Sequence, residues 1–318
     1  MSLMSRREFI ALGTSSQVPT RDRNHNSCLL LWDGEGFLFD PGEGTQRQLT
    51  LAGVGACAIH HIGISHFHGD HCLGLAGVVQ RLSLDHCEHP VHVYYPQSGQ
   101  DYLDRLCNAS VYRAEVELVF HPVAESGGGL IELCRGGHYV LATHALEHSI
   151  PAIGFRLEEL EGLSFLPDKL EAAGVRGPLV GELERQGAVQ VGGRVVCLGE
   201  VTRLRPGSAF AFVMDTRPCP GAAALAREAD LLVMEATYAS EHQELAERYR
   251  HCTSADAART ALKAGARALG MTHFSQRYAD TQGHLREARE IFANSVALND
   301  LDRFEIARRS APPEGQTI

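Results

Sequence analysis

The sequence predicts an α/β protein with a layered αββα architecture. Short apolar runs recur along the chain, and each ends in a cluster of polar residues, as buried strands do. Segments with apolar residues at helical spacing lie between some of these runs. Many strands with a few interleaved helices are typical of sheets that are covered by helices.

The elements can be placed from the N-terminus onward. After a first strand at FIAL, the runs CLLLW and GFLFD predict a hairpin closed by Asp33-Gly34. Later strands are predicted at HIGIS, VHVYY, YVLATHALEH, AFAFVMD, DLLVMEA and RALGMTH. Helices are predicted at 74–84 and in TSADAARTALKAGARA, where Thr253 and Asp256 have capping-box spacing.

One segment does not follow this pattern. Residues 158–194 are rich in charge and glycine and interrupt two strongly apolar strands. Loops of this length are uncommon unless they are functional or disordered. We therefore expect a single domain over 1–310 with an inserted flexible arm at about 158–194, and a disordered tail at 311–318.

Composition limits the classes of function. The net charge is −10 and the pI is near 5.9, which argues against a broad basic surface for nucleic acid but leaves room for a local basic track. Nine cysteines without a C-x-x-C pair fit a reducing cytosol better than a disulfide framework. No stretch approaches the roughly 18 apolar residues of a membrane span. We expect a cytoplasmic protein that does not enter a membrane.

A dense cluster of titratable residues follows the predicted strand HIGIS. Within six positions the chain places His66, His68, Asp70 and His71. Alternation points the first two side chains to one face, and Gly69 lets the turn tighten. Imidazole and carboxylate are preferred ligands of zinc and similar ions, so this cluster predicts a metal site.

Further ligand-type residues stand at other strand ends. Asp215 ends AFAFVMD, His273 ends LGMTH, and His148 follows VLATHALEH. Sites in α/β sheets form at the carboxyl ends of strands. Seven ligands are too many for one tetrahedral ion, but they suit two ions that share a bridging carboxylate and activate water for attack at phosphorus.

Several motifs carry a family resemblance. SHFHGDH resembles the H-x-H-x-D-H motif of the metallo-β-lactamase fold. LGTSSQVPTRDRN, FLFDPGEGTQRQL, HSIPAIGFRL, VMDTRPC, MEATY, HCTSADAA and MTHFSQRY then resemble, in order, segments of the ribonuclease Z family, the endonucleases that trim tRNA 3′ ends. The resemblance covers roughly residues 8–305.

The resemblance implies a ligand set for two divalent ions, most often Zn²⁺, with Mn²⁺ as the alternative. One ion would be held by His66, His68 and His148. The other would be held by Asp70, His71 and His273, with Asp215 as the bridge. His144 competes with His148, but the family's ligand directly precedes the stretch that corresponds to SIPAIGF, which favours His148.

The resemblance also implies a reaction and its partners. The substrate would be precursor tRNA, cut to leave a 3′-hydroxyl on the tRNA and a 5′-phosphate on the trailer. Asp70 would orient or deprotonate the attacking water. His251, held by Glu235, would protonate the leaving oxygen. The family is typically dimeric, so we expect a homodimer, and no other protein partner is implied.

RNA-binding residues are expected in two places. Near the metals, Ser275 and Arg277 would face phosphates. In the arm, the family's glycine-proline core corresponds to Gly177-Pro178, and Lys169 and Arg176 are nearby cations that could contact the RNA. The stretch 158–185 nevertheless carries seven acidic residues against three basic ones, whereas phosphate contacts depend on lysine and arginine.

The sequence departs from the family pattern at one further position, and two alternative functions remain. Met234 stands where the family usually has histidine, at a position outside the implied ligand set. The same dinuclear scaffold could serve a small-molecule phosphodiesterase or sulfatase, although a small substrate needs no long arm. A binding protein with an inactive site is the other alternative, but every ligand position is present.

Overall fold

The computed structural model describes residues 7–125 and 127–310, so the predicted disordered tail at 311–318 lies outside the described residues. The strands are β1 (Arg7–Gly13), β2 (Ser15–Ser16), β3 (Ser27–Trp32), β4 (Glu35–Phe39), β5 (Ile59–Gly63), β6 (Val91–Pro96), β7 (Leu118–Val123), β8 (Ile131–Arg135), β9 (Tyr139–Leu146), β10 (Ala152–Glu159), β11 (Gly162–Phe165), β12 (Ala188–Val191), β13 (Arg194–Cys197), β14 (Thr202–Arg205), β15 (Ala209–Val213), β16 (Leu231–Glu235), β17 (Leu269–Thr272), β18 (Phe274–Ser275), β19 (Ser295–Ala297) and β20 (Arg303–Glu305). The α-helices are α1 (Thr45–Leu51), α2 (Gly69–Cys72), α3 (Leu75–Leu84), α4 (Gln100–Cys107), α5 (Pro167–Ala172), α6 (Pro178–Gln186), α7 (Leu198–Val201), α8 (Pro220–Ala226), α9 (Gln243–Tyr249), α10 (Ser254–Ala264) and α11 (Gln282–Ile291).

Two seven-stranded sheets form the centre of the fold. Their strand orders are β20-β1-β3-β4-β5-β6-β7 and β19-β17-β16-β15-β10-β9-β8. The predicted hairpin is present, because β3 and β4 pair antiparallel with Trp32 opposite Glu35. Strands β4 to β7 pair in parallel, as do β15, β16, β17 and β19. Parallel strands end at a common edge, which brings the residues that follow them together.

The two sheets pack face to face through aromatic side chains. The Phe39 ring lies 5.3 Å from the Phe155 ring and 5.0 Å from the Phe212 ring, which joins the first sheet to the second. Each of these three side chains is at most 1% exposed. Rings of this size bury a large apolar area and dominate the energetics of such a core.

Helices cover the outer face of each sheet. On the first sheet, α1, α3 and α4 contribute buried residues such as Leu49, Val78 and Leu103 to one apolar cluster. On the second sheet, α8, α10 and α11 contribute residues such as Leu225 and Ala258 to another. The layers therefore follow the order helix, sheet, sheet, helix, and the αββα prediction is confirmed.

The chain divides into two compact units. One comprises residues up to 158 and 209–306, and the other comprises 159–208 with the segment that begins at 307. The second unit contains β11 to β14 and α5 to α7 around a small core of Val175, Leu183, Val189, Val196 and Val201. The predicted insertion at about 158–194 is thus folded, and the unit extends to Ser208 because β14 pairs with β11.

The cysteine expectation requires a correction. Cys57 and Cys87, 30 residues apart, form a disulfide with a Cα–Cα distance of 5.1 Å. Sequence spacing could not reveal this pair, because the turn before β5 and the turn after α3 meet only in the folded chain. The other seven cysteines, all in the described residues, are free. No helix among residues 7–125 and 127–310 is long and apolar enough to cross a membrane.

Candidate metal centre and catalytic site

The ends of four strands deliver the candidate ligands to one edge of the sandwich. The motif that begins at His66 follows β5, and Gly69 to Cys72 form the short helix α2. His148, Asp215 and His273 follow β9, β15 and β17. Asp215 and His273 have φ angles of 38° and 61°, in the left-handed region. Such backbone conformations cost energy in residues other than glycine and are concentrated at functional sites.

The first group of ligand atoms comes from three histidines and an aspartate. His66 Nε2 lies 3.0 Å from His68 Nδ1, and His148 Nε2 lies 3.3 Å from the same atom. Asp215 Oδ2 lies 3.5 Å from His66 Nε2 and 3.6 Å from His148 Nε2. One ligand atom from each of these residues falls within 4.8 Å of all the others. These four ligand atoms are close enough together to contact a single ion.

The second group lies on the other side of Asp215. His71 Nε2 and His273 Nε2 are 3.1 Å apart, and Asp70 Oδ2 is 3.4 Å from each of them. Asp215 Oδ1 is 3.4 Å from His71 Nε2 and 3.2 Å from His273 Nε2. Asp215 therefore directs one carboxylate oxygen at each group, as a bridging ligand does.

Hydrogen bonds on the far side of each ring orient the histidines. His71 Nδ1 lies 2.8 Å from Asp40 Oδ2, which leaves Nε2 to face the centre. In the same way, Nδ1 of His66, His148 and His273 faces Ser65 Oγ at 2.9 Å, the Arg250 carbonyl at 3.2 Å and Thr237 Oγ1 at 2.9 Å. Partners of this kind set the tautomer and the ring direction of metal-binding histidines. Asp40 therefore orients His71 from outside the ligand groups.

The electrostatics of the centre favour a cation. Burial lowers the pKa of His66, His68 and His148, which keeps the imidazoles neutral, the form that binds metal. Burial acts to raise the pKa of Asp215, but the facing His273 and His71 outweigh it and hold that pKa well below its usual range. Asp215 Oδ1 is buried and has no hydrogen bond within the described chain. The nitrogen and oxygen atoms of these side chains converge within each group, and such convergence fits divalent ions.

A carboxylate–histidine pair stands beside this centre. Glu235 Oε1 is 3.0 Å from His251 Nδ1, and His251 Nε2 is 4.0 Å from Asp215 Oδ2. Glu235 is fully buried and accepts hydrogen bonds from the Thr216 amide at 2.7 Å and the Thr237 hydroxyl at 2.6 Å. Burial acts to lower the pKa of His251, but the charges of Glu235 and Asp215 outweigh it and raise the pKa to about 9. The ring is thus a proton donor at neutral pH.

A cavity of about 970 Å³ opens onto the metal centre and His251. Ser275 and Arg277, predicted from the sequence, line it. The Arg277 guanidinium lies 5.2 Å from the centre of the Tyr238 ring, and its Nε is 3.3 Å from Ser275 Oγ. Several other lining residues were not predicted from the sequence: Ser16, Gln17, His25, Leu73, Ser149, Tyr238, Arg248 and Tyr249. The basic and aromatic run RYRH before Cys252 could have indicated two of them, Arg248 and Tyr249.

The remaining candidate residues lie in the second compact unit. Gly177, with a φ of 57°, caps α6, and Pro178 occupies the first turn of that helix. Arg176 is exposed and lies 3.4 Å from Glu171. Lys169 is part of α5. These four residues belong to the unit of 159–208, whereas the metal ligands and His251 belong to the other unit.

His144 and Met234, which are outside the ligand set that the resemblance implies, do not join the candidate ligands. His144 Nδ1 lies 2.9 Å from the Ala145 carbonyl oxygen, and His144 contributes to none of the groups of potential metal ligands found in the described chain. Met234 is fully buried in the apolar cluster beneath α8, α10 and α11. Its neighbour Glu235 points to the opposite face of β16, toward the site.

Known proteins resemble this chain over nearly all its length. Residues 21–158 match the family model of the metallo-beta-lactamase superfamily. Ribonuclease Z of Nocardia farcinica is 52% identical over 96% of this chain and 100% of its own length. Ribonuclease Z of Streptomyces avermitilis is 51% identical, again over 96% of this chain and 100% of its own length.

Solved structures agree on the fold. Human tRNase Z, short form, aligns with a TM-score of 0.68 and 24% identity over 94% of this chain and 99% of its own. A diphosphatase of the PhnP family aligns with a TM-score of 0.61 and 18% identity over 94% and 97%. The shared fold does not distinguish one family of the superfamily from another. The family is shown by the high sequence identity to ribonuclease Z relatives over their full length. The chain belongs to the ribonuclease Z family of the metallo-β-lactamase superfamily.

Proposed function

We propose that this protein is a metal-dependent endoribonuclease that removes the 3′ trailer from precursor tRNA. The observation that carries the proposal is the convergence of seven ligand-type side chains beside the pair formed by Glu235 and His251. That combination supports hydrolysis of a phosphodiester, and membership of the ribonuclease Z family supplies the RNA substrate. The products are a tRNA with a 3′-hydroxyl and a trailer with a 5′-phosphate.

The two groups of atoms support a role for each ligand-type residue. His66, His68 and His148 would hold one divalent ion, Asp70, His71 and His273 would hold the other, and Asp215 would serve both. When bound, such ions polarise the phosphodiester and lower the pKa of water. The histidine and aspartate ligands suit zinc best, with manganese as the alternative.

Asp70 orients the attacking water. Its Oδ2 accepts a hydrogen bond from the Gln17 amide at 2.7 Å, which fixes the carboxylate at the wall of the cavity. Burial acts to raise the pKa of Asp70, but His71 and His273 outweigh it and hold the pKa below its usual range. The carboxylate is therefore ionised and can accept a hydrogen bond or a proton from water.

His251 protonates the leaving oxygen. Glu235 bonds Nδ1, so the proton on Nε2 faces the cavity. The 3′-oxygen of the upstream nucleotide is a poor leaving group unless it receives a proton, and a positioned imidazolium supplies it in the transition state. Glu235 acts through His251, since it stabilises the charged ring and sets its orientation.

The second unit binds the body of the tRNA and takes no part in the chemistry. We assign it the exosite that the family resemblance implies, with Gly177-Pro178 at its centre and Lys169 and Arg176 as the cations closest in sequence. A remote grip supplies binding energy without taking part in the chemistry. The protein acts as a cytoplasmic homodimer in this proposal, with the unit of one subunit able to hold the tRNA that the other subunit cuts.

Cleavage of a 3′-extended precursor tRNA in vitro, with both new ends mapped, tests the function. The reaction should be run with zinc, manganese and magnesium, and with bis-p-nitrophenyl phosphate as the small diester. Efficient tRNA cleavage that leaves a 3′-hydroxyl is expected. Turnover of the small diester without any tRNA cleavage would instead support the small-molecule phosphodiesterase.

A further inference from the structure

The wall of the reaction cavity has a charge opposite to that of the whole chain. The chain has a formal net charge of −10. The acidic residues that line the cavity are Asp70 and Asp215, and both are candidate metal ligands. Histidines aside, the other charged residues of the lining are two arginines, Arg248 and Arg277. Beyond the ligands, the wall is therefore basic, which suits an anionic ligand.

Neither arginine is neutralised by a carboxylate of this chain. Within the described residues, Arg248 and Arg277 form no ion pair with an aspartate or glutamate. Elsewhere, Arg156 and Arg303 contact carboxylates at 3.0 and 2.8 Å. The two cavity arginines can therefore meet an anion without first breaking an ion pair.

Tyrosine rings hold both guanidinium groups at the wall. The Arg248 guanidinium lies 5.4 Å from the centre of the Tyr249 ring, and that of Arg277 lies 5.2 Å from the centre of the Tyr238 ring. Both tyrosines line the same cavity. Contacts of this kind attract the cation to the ring. A side chain that is already held loses less conformational freedom when it binds a ligand.

The contacts at the end of α9 place Arg248 on the side of the leaving group. The His251 amide donates to the Ala246 carbonyl at 2.9 Å, and the Arg250 guanidinium donates to the His148 carbonyl at 2.7 Å. These bonds hold the end of α9 against a candidate ligand. Arg248 lies in the last turn of α9, three positions before His251. His251 serves the 3′-oxygen of the upstream nucleotide in the proposed mechanism, so the upstream nucleotide is the one beside Arg248.

We infer that Arg248 binds the phosphate on the 5′ side of the last nucleotide that the tRNA retains, one phosphate upstream of the cut. This inference rests on the proposed function. A guanidinium group offers parallel N–H donors that match two phosphate oxygens. The scissile phosphate belongs to the candidate metal ligands, which leaves the adjacent phosphate for Arg248. Arg248 is thus a positioning residue, because it fixes the strand beside the scissile bond without touching the reacting atoms.

Two variants at position 248 and one matched control test this role. Arg248→Ala removes the charge, and Arg248→Lys keeps the charge without the planar donor group. Arg105→Ala is the control: Arg105 is also exposed, lies 5.8 Å from the centre of the Tyr102 ring and forms no ion pair within the described residues, but it does not line the cavity. Metal content and thermal stability should be measured for each metal-loaded protein.

The substrates differ in one phosphate. The first is a precursor tRNA with its ordinary backbone, and the second carries a neutral methylphosphonate one phosphate upstream of the cut. A third carries the methylphosphonate one phosphate downstream of the cut. The nucleotide before each of these linkages is a 2′-deoxynucleotide in all three substrates, so that no 2′-hydroxyl can attack the neutral linkage.

We expect Arg248→Ala to raise KM for the ordinary precursor about 10-fold, as the loss of a hydrogen bond to a charged group does, with kcat changed far less. Arg248→Lys should recover part of that loss, and Arg105→Ala should leave KM unchanged. On the upstream methylphosphonate, native protein and Arg248→Ala should have the same KM, because the charge that Arg248 meets is absent. On the downstream one, the full loss should persist. The same loss on the ordinary and the upstream-modified substrate would overturn the inference.

A binding measurement keeps the inference distinct from the proposed function. A short single-stranded oligoribonucleotide should be titrated into metal-loaded native protein, Arg248→Ala and Arg105→Ala at several salt concentrations. Arg248→Ala should bind about 10-fold more weakly, and its slope of log affinity against log salt should be smaller by about 0.7, as the loss of one single-strand phosphate contact predicts. Equal affinity and slope for native protein and Arg248→Ala would refute the role of Arg248 even if native protein cleaves tRNA. The expected binding change in a protein that does not cleave tRNA would refute the proposed function alone.

Discussion

Glu235 Oε1 lies 3.0 Å from His251 Nδ1, and the other nitrogen of the same ring lies 4.0 Å from Asp215 Oδ2. The ring is thus held between a buried carboxylate that orients it and the cluster of candidate metal ligands. His251→Ala should keep both ions but lose roughly 100- to 10,000-fold in the rate of tRNA cleavage. Metal analysis and single-turnover kinetics would measure the two effects separately.

The leaving group provides the control for His251. A nitrophenolate leaves without a proton, so the loss in His251→Ala should be much smaller on bis-p-nitrophenyl phosphate. Glu235→Gln should show the same pattern at reduced size, because the glutamine amide cannot stabilise the imidazolium by charge. An equal loss on both substrates would assign His251 a structural role.

The second prediction concerns the number of ions. Seven ligand-type residues in two groups should bind about two equivalents of metal per chain at full loading. His273→Ala removes a ligand from one group and should lower metal content and turnover together. Elemental analysis after dialysis, with an activity assay on the same samples, would measure both. Unchanged metal content and activity would contradict the ligand assignment.

The choice between two histidines near the end of β9 is a third prediction. His148 Nε2 points into the first ligand group, whereas His144 Nδ1 faces the Ala145 carbonyl. His148→Ala should therefore lose metal and nearly all turnover, and His144→Ala should lose less of either. The two variants differ by four positions on one strand end and control for each other. The reverse ranking would require a different ligand set.

The fourth prediction tests the second compact unit. The Glu159 amide donates to the Ser208 carbonyl at 2.8 Å, so residues 160–207 can be replaced by a short glycine-serine turn of about four residues. KM for precursor tRNA should rise strongly, while hydrolysis of the small diester should change little. Equal damage to both substrates would show that the unit supports the fold of the site.

Mixing experiments extend that test to the dimer. The shortened chain retains the ligands and His251, and a His68→Ala chain retains the second unit. If one subunit's unit holds the tRNA cut by the other, a mixture of the two should recover cleavage that neither shows alone. Size-exclusion chromatography with light scattering would establish the oligomeric state of each sample.

The fifth prediction is a pH dependence of stability at His284. Burial lowers the pKa of this histidine to about 4, although Glu287 acts in the opposite direction. Its ordinary pKa is near 6.5, so between pH 6.5 and 4 the unfolded chain binds more protons than the folded one. The stability that neutral, buried His284 contributes is therefore fully present above pH 6.5 and falls as the pH is lowered toward 4. The total change in the free energy of unfolding is about 3 kcal/mol.

A comparison with His284→Phe isolates the contribution of His284 to the pH dependence of the free energy of unfolding. Urea unfolding should be followed at pH 7.5, 6.0 and 5.0 for both proteins in the presence of a chelator. The stability of the native protein relative to the variant should fall as the pH falls. A difference that stays constant across this range would show that His284 is not buried in its neutral form.

Sequence patterns alone were sufficient to predict which ligand-type residues converge. His66, His68, Asp70 and His71 lie within six positions, so local spacing determines their proximity. Asp215 and His273 could be added because each follows a recognisable apolar strand, and parallel strands end at one edge. The αββα layers were also predictable, because recurring apolar runs in the sequence mark the strands and the segments between them include the helices.

Contacts between distant segments were not predictable in this way. The Arg23 guanidinium donates to Thr14 Oγ1 at 2.6 Å and to the Leu298 carbonyl at 2.8 Å, and the second contact joins residues 275 positions apart. The Cys57–Cys87 disulfide and the paired ends of the second unit are likewise set by residues far apart in sequence.

The sequence by itself determined which residue types can bind metal and the strand ends that carry them. Only the tertiary structure decided which ring nitrogen faces the centre and which histidine remains outside it. The physical reason is that spacing along the chain limits local geometry, whereas burial and hydrogen bonding depend on segments that meet only when the chain folds.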